Sequence, residues 1–357
     1  MSIDTGYTID ILMRLLRTPS VTGDCEAAVR LCEEEFARLG VPTRRTKKGS
    51  LIAELGGEGG PVKVVSGHVD TLGAMVKEIL ADGRLRLTNI GGLPAPSCEG
   101  AYCWVLTADG RRIPGTILPK YASTHVYGPE YGKLERTWEN MVVRLDERTE
   151  SAEATRALGV EVGDVVALDP RAEHLPSGYI KSRFLDDKAA VATMFAALKA
   201  LADSGRRPSS RAYFYISTYE EVGHGCPAGT PEDAEEFLAV DMAAVGEGQR
   251  SSEHAVTICA KDSSGPYDLA LLRRLVRLCQ ERGIRHAVDI YPYYSSDASA
   301  ALQAGRDVRA GLVGPGVDAS HTHERTHVDA LAATAELLLA YLTESRRACG
   351  APGFGEE

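Results

Sequence analysis

Apolar positions along the chain follow two periods, and the alternation between them outlines the fold. In DCEAAVRLCEEEFARLG (24–40) they recur at helical spacing, with Gly40 placed as a C-cap. VKVVSGHVD (62–70) reads instead as a buried strand. The same texture returns from about residue 173. DDKAAVATMFAALKALADSG (186–205) predicts an amphipathic helix with acids at its start, and RAYFYIS (211–217) a strand. PYDLALLRRLVRLCQERG (266–283) predicts a helix ending in Gly283, HAVDI (286–290) a strand, and VDALAATAELLLAYL (328–342) a last helix. Strands alternating with helices imply an α/β fold: a mixed, mainly parallel sheet covered on both faces by helices.

Residues 73–172 differ. ADGR (81–84) and ADGR (108–111) each place an Asp-Gly turn between short β-rich runs, as in hairpins, and only SAEATRALG (151–159) suggests a helix. The pattern predicts a small β-rich domain, 73–172, inserted into a larger one made of 1–72 and 173–357. No internal repeat or low-complexity run interrupts this plan.

Composition narrows the class. The 357 residues suffice for a full core, and 44% hydrophobic with 25% charged residues is ordinary for a soluble protein. A net charge of −10 argues against nucleic acid or an anionic membrane as the main partner. No run approaches the ~20 apolar residues that span a bilayer. The N-terminus lacks a basic region followed by a long apolar core, so no signal peptide is expected. Eight scattered cysteines without a CxxC pair fit reduced thiols and a cytoplasmic protein.

In an open parallel sheet, ligands sit at the carboxyl ends of the strands. The acids and histidines predicted there are His68 and Asp70 in SGHVD, Glu220 and Glu221 in TYEEVG, and Asp241 in AVDMA. Asp186 and Asp187 open a helix, and His321, His323 and His327 cluster in SHTHERTH. Each has a plainer reading: the Asp pair could cap its helix, the Glu pair could be a solvated turn, and the histidines could lie on a surface loop. Their recurrence at successive strand ends favours a shared role. Imidazoles and carboxylates without thiolates suit a catalytic zinc, cobalt or manganese site. In HxD, the aspartate can hold the imidazole in the tautomer that leaves the other nitrogen for metal. Of two adjacent glutamates, one can bind metal and the other act as general base; spacing leaves open which does which.

GHVDTLG, FLDDKAA, TYEEVG, AVDMA and the late His-Thr, in this order, resemble the M42 family of metallo-aminopeptidases, which includes the tetrahedral and glutamyl aminopeptidases. GTILPKYASTHV (115–126) and LGVEVGD (158–164) also look like family features. The resemblance implies two divalent ions per subunit, zinc or cobalt foremost and manganese as an alternative. Residue by residue, it implies His68 and Asp241 as ligands of one ion, Asp186 as the bridge, and Glu221 and His321 as ligands of the other. His323 and His327 stand as rivals for the last position. It implies Asp70 as support for His68, Glu220 as general base, and Asp297, in YYSSDASAA, as part of the substrate pocket. Lys188, where many relatives have Arg, and Ser295 and Ser296 depart from the family pattern. The resemblance further implies an inserted β-barrel-like dimerisation domain and homo-oligomers, from dimers to a tetrahedral dodecamer. The activity it implies is removal of N-terminal residues from short peptides. Two other readings compete: a dedicated amidohydrolase of a small acylated or amidated, dipeptide-like metabolite related to osmoprotectants, and a non-catalytic oligomeric binding protein.

Overall fold

Alternation along the central strands sorts their side chains into two cores. Phe214 and Ile216 of strand Ala212–Ser217, Val65 of Lys63–His68 and Leu238 of Glu236–Val240 point to one face; Tyr215, Val64 and Phe237 point to the other. Strands buried on both sides in this way are the interior of a parallel sheet. In the computed structural model, which describes residues 1–344, four such strands lie parallel in the order Ala212–Ser217, Lys63–His68, Glu236–Val240, Arg309–Asp318. Leu51–Gly56 and Thr43–Arg45 extend the sheet antiparallel on one side. On the other, Arg309–Asp318 pairs antiparallel with Val256–Asp262, which in turn runs parallel to His286–Ile290. The sheet is therefore mixed, with a parallel centre and antiparallel flanks.

The two faces are covered unequally. Helices Thr5–Arg17, Glu26–Arg38, Leu185–Asp203, Leu269–Arg282 and Val328–Thr343 all contribute to the first core. The second face is closed by the short helix Asp297–Gln303, through Ala298 and Ala301, and by loop residues such as Cys226, Tyr267 and Tyr291. Helix Leu269–Arg282 ends as its sequence predicts: Asp268 accepts the Leu271 N–H at one end, and Gly283, at φ +66°, closes the other.

Between Gly73 and Leu168, six strands close into a barrel in the order Gly73–Ile79, Leu85–Ile90, Met141–Leu145, Arg112–Pro119, Tyr102–Leu106, Val165–Leu168. Both Asp-Gly stretches join antiparallel neighbours in it. Closure leaves no unpaired edge, which lets so small a sheet stand beside the larger one. Among the described residues, no helix is long and apolar enough to cross a membrane.

Candidate metal centre

The parallel strands deliver their polar termini to one edge. Strand Lys63–His68 ends in His68, Glu236–Val240 is followed by Asp241, and Ala212–Ser217 by the one-turn helix Glu220–Val222. Ser217 lies in register with His68, so the glutamates arrive just beyond the histidine. Asp186 and Asp187 reach the same point from the start of helix Leu185–Asp203, where their backbones are not yet helical. Their side chains turn to His68 rather than capping the helix.

Asp186 occupies the middle. Its Oδ1 lies 3.2 Å from His68 Nε2, and its Oδ2 lies 3.3 Å from His321 Nε2. Glu220 Oε2 is 3.6 Å from His68 Nε2, while Glu221 Oε2 is 3.6 Å from His321 Nε2. Ligand atoms of His68, Asp186 and Glu221 converge within 4.8 Å, as do those of His68, Asp187 and Asp241. Both aspartates of FLDD thus lie at the centre. His321 adopts a positive φ of +64° that carries its ring over the cleft. His323 is exposed, in a setting where burial and then Arg183, Arg171 and Lys181 hold its imidazole below the usual range. His327 turns away to a different set of partners.

Asp70 holds two parts of the site together. Its backbone carbonyl lies 2.9 Å from His68 Nδ1, leaving Nε2 directed at Asp186. Its carboxylate accepts the backbone N–H groups of Glu220 (3.2 Å) and Glu221 (3.3 Å) and the Thr22 hydroxyl (2.8 Å). Asp297 accepts the Cys226 N–H at 2.9 Å and borders the cluster, while its Oδ2 is buried without a hydrogen-bond partner.

Glu324 escapes the sequence reading. It is 2% exposed and accepts the backbone N–H groups of both His321 (3.1 Å) and Asp186 (3.2 Å). One carboxylate thereby fixes the chain at two histidine-facing and histidine-bearing positions far apart in sequence. The available signal is its place three residues after His321 in a strand whose alternate residues are buried. Outer partners of this kind tune a metal site by about 10–100-fold. Glu324→Gln, which replaces one of the two acceptor oxygens with an amide NH2 that cannot accept, is expected to lower metal affinity within that range, read by competition with a chelating dye.

The electrostatics ask for cations. Burial, then neighbouring acids, pushes Glu221 well above the ordinary carboxyl range; Asp187 follows for the same reasons. Burial likewise raises Glu220, Asp241 to about 7 and Glu324 to about 8. Burial opposes ionisation of Asp186 too, but hydrogen bonds to His321 and His68 outweigh it and hold this carboxyl low. Two imidazoles cannot balance so many buried acids, and Glu221 Oε1 and Asp187 Oδ1 are buried without hydrogen-bond partners. Unpaired carboxylate oxygens beside imidazole nitrogens fit hard or borderline divalent ions.

The barrel completes the cleft. Leu93, with Leu72, Phe184, Arg183 and Thr322, walls the space next to Asp186, Glu221 and His321. A Cβ at Gly92 would sit 2.9 Å from His321 Nδ1. Gly92 has no positive φ, so alanine there tests space alone. Overpacking costs about 1–3 kcal/mol, and if His321 is a metal ligand, Gly92→Ala is expected to weaken metal retention by roughly tenfold, or about 1.4 kcal/mol. Metal content after dialysis against a graded chelator measures it.

The sequence model of the M42 glutamyl aminopeptidases matches residues 49–337. The Bacillus subtilis protein named "Putative aminopeptidase YhfE" is 46% identical over 336 residues, covering 94% of this chain and 97% of that protein. The lysyl aminopeptidase of Pyrococcus furiosus is 24% identical over 60% of each chain. Among solved structures, the TET1 peptidase of Pyrococcus horikoshii, described as assembling into a tetrahedron or a large octahedral shell, superposes with a TM-score of 0.81 at 23% identity. That match covers 94% of this chain and 99% of the other. A TET aminopeptidase from a marine-sediment thaumarchaeon gives 0.85 at 17% identity, over 94% and 97% of the two chains.

Proposed function

The chain belongs to the M42 family of aminopeptidases, and from that membership we propose a dinuclear metal-dependent enzyme that removes N-terminal residues from short peptides. The observation that carries the two-ion reading is Asp186, which turns one carboxylate oxygen to each of two histidines at 3.2 and 3.3 Å. His68, Asp186 and Asp241 would hold one ion; Asp186, Glu221 and His321 the other. Bound divalent ions supply Lewis acidity, polarising a carbonyl and acidifying water. The donor types suit zinc, cobalt or manganese.

Glu220 is the base. It is the more accessible of the pair, with its side chain 13% exposed against 4% for Glu221. It takes a proton from the water that attacks the scissile carbonyl. As the C–N bond breaks, it returns that proton to the leaving amine. Asp70 keeps both glutamates in place through their backbone N–H groups. The surrounding acids favour a substrate with a free, positively charged α-amine, and Asp297, held by the Cys226 N–H, would contribute to the substrate pocket.

The barrel would serve as the dimerisation domain of a homo-oligomer, with a dodecameric shell as the larger assembly; the shells described for the TET relative support this reading. Light scattering that returned a monomer would remove it. Seven cysteines among the described residues are buried and free, which supports a reducing, cytoplasmic setting.

The test of the activity is hydrolysis of a mixed peptide pool by the zinc- or cobalt-loaded protein, beside a matched N-acetylated pool. Stepwise N-terminal loss from the free pool alone is expected. Cleavage of both pools equally, or of neither, would overturn the aminopeptidase reading.

A further inference from the structure

Three histidines crowd residues 321–327, and only His321 faces the carboxylate cluster. His327 ends strand Glu324–His327 and begins helix Val328–Thr343, and there it meets His254 and Asp329. His254 Nδ1 and His327 Nδ1 lie 3.1 and 3.3 Å from the same oxygen, Asp329 Oδ2. The two rings stand 4.4 Å apart, centre to centre. No donor is shared with the cluster around Asp186.

Proton accounting shows what this arrangement lacks. His327 Nε2 faces the Ser177 carbonyl at 3.0 Å, and a carbonyl only accepts, so this nitrogen carries the proton. His327 Nδ1 is then a bare acceptor whose single lone pair receives the Asp329 backbone N–H at 3.1 Å, a bond that an ion on this nitrogen would replace. Asp329 Oδ2, a second acceptor, converges on that same Nδ1. A proton placed on Nδ1 would oppose the Asp329 N–H, so two electron-rich atoms face each other. Neighbouring cations help only in part: Arg325 is held by Glu253 at 2.7 and 2.8 Å, and the exposed Arg285 makes a long ion pair, 3.9 Å, with Asp329 Oδ2 that does not reach His327 Nδ1.

The outer contacts suit metal ligation. His254 Nε2 lies 3.2 Å from the Tyr179 hydroxyl, which can accept its proton and leave Nδ1 as the free donor atom. Ring N–H groups bound to a carbonyl and a hydroxyl are how imidazoles are fixed for binding metal through the opposite nitrogen. Packing adds rigidity, since the Tyr179 ring meets both imidazoles edge-on.

We propose that His254, His327 and Asp329 form a second, peripheral site for one divalent transition-metal ion, zinc foremost. Two imidazole nitrogens and one carboxylate oxygen supply three of the four positions zinc takes, leaving the last for water. One carboxylate is too few oxygens for calcium or magnesium, and the imidazoles select a borderline ion. The ion ties the segment before strand Val256–Asp262 to the start of helix Val328–Thr343. Its role is structural.

Equilibrium dialysis of the full chain against buffered zinc, with metal content read by mass spectrometry, tests this in wild type, His254→Gln and Asp329→Asn. Both substitutions keep side-chain size, and neither removes the His327 contacts that begin the helix. Each variant is expected to hold one zinc fewer per chain than wild type, with peptide hydrolysis unchanged and a smaller rise in Tm on zinc addition. The count is a difference, so it stands apart from how many ions the Asp186 cluster holds. Equal zinc content in all three proteins overturns the site. Should one variant fail to fold, by circular dichroism, the other decides.

Discussion

Glu220→Gln is expected to lower kcat by about 10³-fold, the middle of the range for losing a positioned general base, while metal content stays at the wild-type level. The amide keeps the size and the hydrogen-bonding oxygen of the carboxylate but cannot take up a proton. Three features separate this residue from its neighbour. Its side chain is the more exposed of the two, its Oε2 points to His68 rather than to His321, and it lies outside the His68–Asp186–Glu221 convergence. Glu221→Gln should do the reverse and lose metal first. Single-turnover kinetics with metal analysis on the same samples distinguishes them. Near-wild-type turnover in Glu220→Gln would falsify the base assignment.

Asp186→Ala is expected to empty the centre. It removes the one side chain that both His68 and His321 face, so the loss should exceed the roughly 10–100-fold of an outer partner and take activity to background. The apo centre has a compensation of its own. Asp186 is the carboxyl that its two histidines hold in the ionised form against burial, so its removal costs two charge-assisted contacts at once. Breaking a buried pair of this kind costs about 3–5 kcal/mol, some of it recovered because the remaining acids repel one another less. Metal content and urea unfolding in the presence of chelator read the two effects separately. Retention of metal at the wild-type level would point instead to Asp187, which converges with His68 and Asp241.

Much of this centre was legible in sequence because a parallel sheet concentrates strand ends. Once VKVVSGH, RAYFYIS and EFLAV are recognised as parallel strands, His68, Glu220 and Asp241 must fall at one edge. The Asp186–Asp187 pair was ambiguous for a physical reason: an acid that opens a helix serves the helix dipole and a metal equally well, and only side-chain direction separates the two. Pattern alone could not rank the three histidines of SHTHERTH, and only the family resemblance favoured His321, because a positive φ at His321 and the alternation after Glu324 decide which way each ring points. Glu324 and Thr22 were missed because their partners are a backbone N–H and a carboxylate from other parts of the chain. Hydrogen bonds to distant groups leave no local period. The uneven helix cover was also hidden, since a strand buried on both faces reads alike under a long helix and under a short helix with loops.

Gly92 and Leu93 belong to the barrel side of the chain yet touch the histidine cleft, and Arg183 donates to both the Ser97 and the Thr322 carbonyls. The insert is therefore not an interchangeable cassette. Swapping it for the barrel of another protein, or excising it for a short linker, would strip a wall from the cleft beside Asp186, Glu221 and His321 and release the turn that aims His321. Chimeras that graft new assembly surfaces onto this scaffold should keep residues 91–97 with the sheet, and cut within the far hairpins of the barrel instead.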